Sequence, residues 1–377
     1  MHIHIFLIVI ISIAIIIFLH QKKALSLRLF LTSILTIIIL FILLNPKKCI
    51  VMTLKGINLF FYSVFPSLFV FLILCNLLIA FNGVEIYSKT LGKLLCKPLR
   101  LPESCAFPII VSILCGYPLG AKYTYSLFDE GKIDKACADR LLNIASNPSP
   151  VFVIGTLGTT MLKDTNLGYL LLLSNYIASF VMSLLMKPSR FKYKENYKSK
   201  TELFNIGMAL RTSIENAINT TLMVGGFIVF FFLLTSIVND NILIFIKNNT
   251  IKATFTGIIE MTQGCSLITS TTDNLKTKII LCSFFINFSG LSVVAQVYAF
   301  IYKYNVSIIR YMFLKLSQGF IASIVMFFLS NFYLRNTTVS ANFNEQVHYL
   351  YIFLFIFLII PILLEFIKKL FLRNNFF

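Results

Sequence analysis

The sequence predicts an all-α polytopic membrane protein built from two inverted repeats, each with a re-entrant hairpin and a broken helix. Three observations predict it. Of 377 residues, 58% are hydrophobic and 13% charged, with 39 Phe and no Trp, and several apolar segments exceed the ~20 residues that span a bilayer. Some of those segments are interrupted by Pro and Gly. The interruptions recur in the same order in both halves. Ten-residue alternation, the mark of a transmembrane barrel, is absent.

Residues 3–19 form a continuous apolar helix with Lys22, Lys23 and Arg28 after it rather than before it. They read as a retained first span, not a cleaved signal. Residues 29–44 make a second span, ended by Asn45-Pro46 and Lys47-Lys48. Together they form an N-terminal two-helix addition, 1–54, without a later counterpart. Residues 57–81 are a third span holding Pro66 and Ser67. Between 82 and 104, Lys89, Lys93, Lys97 and Arg100 recur at near-helical spacing among leucines, as in an amphipathic interfacial helix.

The element at 105–128 opens with an apolar run of roughly ten residues, only ~15 Å of helix, before Gly116-Tyr117-Pro118-Leu119-Gly120. It is expected to be re-entrant. Residues 129–140 balance Asp129, Glu130, Asp134 and Asp139 against Lys132, Lys135 and Arg140, which suits a solvated helix face. Residues 141–163 cross the membrane but break at Asn147-Pro148-Ser149-Pro150, and 167–186 cross back. The linker 187–210 carries Lys187, Arg190, Lys192, Lys194, Lys198 and Lys200 against Glu195 and Glu202, placing it in the cytoplasm. Then 213–238 spans, 251–272 is a second interrupted short element, 278–302 and 307–331 span, and 349–370 make a last span within 336–377. The count is about nine spans plus two re-entrant hairpins. Tracing back from the linker puts Lys47-Lys48 outside, against the positive-inside rule.

The repeat rests on particular residues. Asn147-Pro148-Ser149-Pro150, with Val153 beyond, resembles Asn287-Phe288-Ser289-Gly290, with Val293 beyond. The Gly116–Gly120 turn corresponds to Thr262-Gln263-Gly264, and Phe65-Pro66-Ser67 to Val224-Gly225-Gly226. Gate repeats at 55–186 and 211–335 each read as span, interrupted hairpin, broken span, span. The first copy starts from outside and the second from inside, as in many secondary transporters whose binding site lies at the breaks.

Candidate substrate-binding residues follow. The first hairpin supplies Gly116, Tyr117, Pro118, Gly120 and Lys122; the first break supplies Asn147 and Ser149. The second hairpin supplies Thr262, Gln263 and Gly264; the second broken span supplies Asn287, Ser289, Gly290 and Gln296. Ser149 or Asn147 can cap the helix that Pro150 or Pro148 begins, leaving helix-end N–H groups for an anion. Asn287 and Ser289 would supply the same groups from the opposite side. The alternative is that Pro and Gly only kink helices for packing. Lys122 can neutralise an anion or snorkel. Glu260, deep in GIIEMTQGCS, is costly there by about 2.5–3.5 kcal/mol or more. It can hold a coupling proton or cation, or pair with Lys122 or Arg211 as a structural ion pair. Tyr117 and Tyr123 can stack on an aromatic ring.

The net charge of +18 sits in short segments between apolar runs, where it sets topology and meets headgroups. Nucleic-acid binding is not expected. The eight cysteines form no CxxC pair and, with four histidines, offer no metal site. Paired-carboxylate, HExxH, GxSxG and Walker patterns are missing, so neither an enzyme nor a cofactor is expected.

A family resemblance rests on FPSLFVFLILCNLL (65–78), CGYPLGAKYTYSLFDEGKI (115–133), RLLNIASNPSPVFVIGTLG (140–158), GIIEMTQGC (257–265) and NFSGLSVVAQV (287–297). Over about residues 55–335 the chain resembles the YlbJ-type sporulation integral membrane proteins. Those contain the nucleoside-recognition gate domain, which is similar to the core of concentrative nucleoside transporters. The resemblance implies that fold, and transport of dipicolinic acid across the mother-cell-derived outer forespore membrane during sporulation. The expected partners are a small anionic substrate and the lipid bilayer, with a homo-oligomer or other sporulation membrane proteins as further partners. A nucleoside or other small-metabolite carrier, or a non-transporting spore-maturation scaffold, are the alternatives. The Asn/Thr-rich surround at 239–254 departs from the family pattern.

Overall fold

The computed structural model describes residues 27–187 and 205–336, all of it helices and connecting turns. The expected spans at 3–19 and 349–370, most of the basic linker and all four histidines lie outside the described residues.

Helix α1, Leu27–Leu44, meets α2, Pro46–Leu59, at a bend of 105°. Pro46 begins α2 instead of ending a span, because a first-turn residue has no intrahelical use for its N–H. Lys47 and Lys48 therefore sit on a helix, and Lys48 pairs with Asp240 at 3.1 Å. A π-helical turn, Phe60–Val64, carries α2 into α3, Phe65–Ala80. Pro66 accounts for that turn, since its ring collides with the carbonyl four residues back and a wider turn relieves the contact. A second bend, of 93°, leads into α4, Gly83–Cys96. Val84, Tyr87 and Leu91 bury one face of α4, while Lys89 and Glu85 pair at 2.7 Å on the exposed one.

Two short helices, α5 (Ala106–Cys115) and α6 (Leu119–Asp129), pack on each other as a first hairpin. Helix α7, Lys135–Ile144, gives way to irregular backbone through Ser149 and then to a π-helix, Val151–Met161. Helix α8, Thr165–Leu185, closes the half. The second half holds α9 (Ile206–Asn241), a hairpin of α10 (Asn249–Ile259) and α11 (Met261–Thr269), a broken helix of α12 (Leu275–Phe288) and α13 (Gly290–Ile301), and α14 (Ile308–Asn336). Side chains of Asn205, Asn248 and Asn274 each accept an N–H three residues on, capping α9, α10 and α12.

Both halves thus run long helix, hairpin, broken helix, long helix. The long helices pair antiparallel. Lys48 near the start of α2 meets Asp240 at the end of α9, while Asn76 near the end of α3 donates to the Ser213 carbonyl at 3.1 Å. Likewise Tyr333 near the end of α14 donates to Asp164, just before α8, at 2.9 Å. Each hairpin reaches into the other half: α6 packs on α13, and α11 on the π-helix. Among the described residues, four helices are long and apolar enough to cross a membrane, or up to six if each bent pair counts as one span.

Three expectations are corrected. Arg140 is not on a solvated face; it is buried, donating to the carbonyls of Leu99, Ser183 and Lys187 at 2.6–2.7 Å. A guanidinium whose two terminal nitrogens are met by carbonyls is stable where a bare charge is not, although Nε has no partner. Val224-Gly225-Gly226 leaves α9 unbroken, and Gly225 instead makes room for the Phe60 ring, 2.7 Å from where a Cβ would stand. The second hairpin turns at Glu260 rather than at Thr262-Gln263-Gly264, which form the first turn of α11.

Candidate functional site

In the first half, the hairpin turn is fastened to the helix break. Gly116 ends α5 in the left-handed region, at φ +81°, and a Cβ there would stand 2.5 Å from the Ser149 nitrogen. A Cβ on Gly120 would stand 1.7 Å from the Ala145 carbonyl oxygen. The Tyr117 N–H donates to the Asn147 carbonyl at 2.7 Å. The Asn147 side chain donates to Ser112 Oγ at 3.1 Å and to the Ile144 carbonyl at 2.8 Å. Ser149, by contrast, accepts the Phe152 N–H at 3.3 Å and caps the π-helix.

In the second half, too, a hairpin turn and a helix break lie close together. Glu260 takes extended backbone between α10 and α11, and its Oε2 accepts the Gln263 N–H at 2.7 Å. The carboxylate is a helix cap. It pairs with neither expected cation, for Lys122 donates to Thr220 Oγ1 at 2.8 Å and Arg211 pairs with Glu215 at 2.8 Å. The Gln263 amide turns away to the Phe232 carbonyl at 3.1 Å. Gly264 gives clearance to Gly257, whose Cα is 2.2 Å from where a Cβ would be. Ser289 breaks the helix at φ +71°, and Gly290 follows at φ +72° against Met261. Neither Asn287 nor Ser289 caps α13: the Ser289 hydroxyl donates to the Phe288 carbonyl and Asn287 Nδ2 to the Ser283 carbonyl at 2.9 Å.

The two turns meet across the molecule. The Tyr117 hydroxyl, from the first hairpin, donates to Met261 Sδ of the second at 2.6 Å, and the Tyr117 ring packs against both apolar clusters of the fold. Beside this contact lies a partly open cleft walled by Leu59, Val64 and Leu68 on one side and Val224 and Ile228 on the other. Its polar groups come from Tyr117, Ser149, Glu260, Thr262 and Gln296, and no lysine or arginine lines it among the described residues. Of the candidates, these five face the cleft. Gly116, Pro118, Gly120, Asn147, Gly264 and Gly290 shape the turns and break around it. Lys122, Gln263, Asn287 and Ser289 are engaged elsewhere. Tyr123 is also turned away, donating to Asn76 Oδ1 at 2.8 Å.

Sequence reasoning missed a polar chain behind the cleft. Buried Lys315 on α14 donates to the Ser146 carbonyl at 2.6 Å and to Gln318 Oε1 at 2.9 Å, and Gln318 Nε2 donates to Asn287 Oδ1 at 3.2 Å. The signal was present: Lys315 and Gln318 interrupt the apolar run of 311–327 at helical spacing.

No family model matches the chain, and no solved structure matches it. It is similar to the sporulation integral membrane protein YlbJ of Bacillus subtilis (strain 168), at 27% identity over 319 residues, covering 76% of this chain and 78% of the relative. With the apolar helical body, that likeness supports an integral membrane protein.

Proposed function

We propose that this YlbJ-type chain is a transporter that moves a small organic solute across the membrane by alternating access, with inverted repeats rocking about the cleft. One observation carries the reading: the turns of two interrupted hairpins, one from each half, close at Tyr117 and Met261 on a single, mainly apolar cleft that holds a few polar groups. Antiparallel pairing of the matching long helices supports it, as inverted repeats require matching elements to run in opposite directions. By the family resemblance the solute is dipicolinic acid and the membrane is the outer forespore membrane. Among the described residues the cleft's one ionisable acid is Glu260, whose carboxylate would repel a dianion in a low-dielectric site. Dipicolinate would therefore travel with protons or a cation, and Glu260 is the candidate to carry them.

The cleft's neutral hydrogen-bonding groups favour a second reading, a carrier of a nucleoside or other uncharged ring compound. Vesicles containing the purified protein, tested with labelled dipicolinate and labelled uridine at several pH values, decide between them. Dipicolinate uptake above empty vesicles and rising as external pH falls is the expected result. Faster uridine uptake selects the second reading, and no uptake of either above empty vesicles counts against transport.

A further inference from the structure

Helices α7 and α12 both end inside the protein, and a side chain of α14 reaches each end: Lys315 that of α7 and Gln318 that of α12. A helix C-terminus carries roughly half a negative charge, and unwound carbonyls there attract cations. The group standing at this point is the Lys315 ammonium, fully buried, on the Ser146 carbonyl just past α7 and on Gln318, which in turn holds Asn287 in the last turn of α12. Tyr311, also on α14, binds Ser146 again through its Oγ at 2.7 Å. None of the ion pairs among the described residues includes Lys315. A buried lysine is ordinarily matched by a carboxylate; here carbonyl and amide oxygens take that role.

We propose that Lys315 is a tethered cation occupying a monovalent-cation site between the two helix breaks, so that the protein needs no inorganic cation there to hold its halves together. The inference stands on this geometry and not on the solute, so its test uses the detergent-solubilised protein without substrate. Lys315→Ala removes the ammonium and leaves its space. Its melting temperature should fall by roughly 5–10 °C and recover by at least half when ethylammonium or sodium is added. Tetramethylammonium, too large for the space, should give no recovery at the same ionic strength. Lack of rescue by both ethylammonium and sodium overturns the proposal.

A second pair of variants covers the case in which Lys315→Ala does not accumulate. Gln318→Glu places a carboxylate beside the ammonium. It loses the bond to Asn287 in either background, and beyond that shared cost it should be tolerated beside Lys315 and strongly destabilising in a Lys315→Met background, where the acid is buried alone. Equal destabilisation in both backgrounds would show that no charge stands at position 315 and would equally overturn it. Neither outcome depends on whether dipicolinate is carried.

Discussion

The Tyr117 phenol and the Met261 sulfur touch at 2.6 Å, joining a residue that follows the end of α5 to one that begins α11. The contact bridges the halves at the edge of the cleft, which both residues line. Tyr117→Phe removes the hydroxyl and keeps the ring against both apolar clusters. Stability should change by less than about 1 kcal/mol, while solute uptake should weaken through KM with little change in maximal rate. Tyr117→Ala, which also removes the ring, should cost about 3 kcal/mol or more. Thermal melts and vesicle uptake on the two variants separate the hydroxyl's role from the ring's.

Glu260 has two separable features, an oxygen that caps α11 and an ionisable proton. Glu260→Gln keeps an acceptor for the Gln263 N–H and abolishes titration, so the protein should melt near the wild-type temperature while proton-dependent uptake is lost. Glu260→Ala loses the cap as well, at a cost of about 1 kcal/mol. Unchanged pH dependence of uptake in Glu260→Gln would remove this residue from the coupling step.

The interruptions were legible because Pro and Gly announce them. The expected turn at Gly116–Gly120 is observed at 116–118, and the breaks expected at 147–150 and 287–290 are observed at 145–149 and Ser289. Less legible were residues whose meaning depends on a distant partner. Pro46 reads equally as a stop or as a first-turn residue, and only its helical context decides. Glu260 marks the second hairpin turn by capping, while the nearby Gly264, a more obvious breaker, serves helix contact. Arg140 sits among balanced charges, yet the carbonyls of Leu99, Ser183 and Lys187 draw it inside. Those acceptors are 41–47 residues away in sequence, beyond any local pattern.

Close approach of hairpin to break is tested by two glycines. A Cβ at Gly120 would stand 1.7 Å from the Ala145 oxygen, a fixed backbone atom, whereas one at Gly155 in the π-helix would meet nothing within 4 Å. Gly120→Ala should lift the first hairpin off the break, costing about 3 kcal/mol or more, with poor accumulation in membranes. Gly155→Ala should be neutral or stabilising by up to about 1 kcal/mol. Melting temperatures of the pair check the difference, and equal tolerance would show that the hairpin is not seated where Gly120 places it.

The open end of the second hairpin is held by Asp273, which accepts hydroxyl hydrogen bonds from Thr250, at the start of α10, and from Thr271 at 2.8 Å. Those two donors hold its carboxyl below the usual carboxylate range. A folded pKa lower than the unfolded one, about 3.9, means that the contribution to stability is complete above that value and fades as pH falls through the folded one. The group is exposed, so the effect is local and small. Thr250→Val should therefore speed hydrogen exchange in α10 at pH 7 relative to wild type. As pH falls through the folded pKa and the wild-type carboxyl itself takes up a proton, the two proteins should converge. An exchange difference that persists undiminished into acid would assign the effect to the lost Thr250 hydroxyl's other contacts rather than to the charged carboxyl.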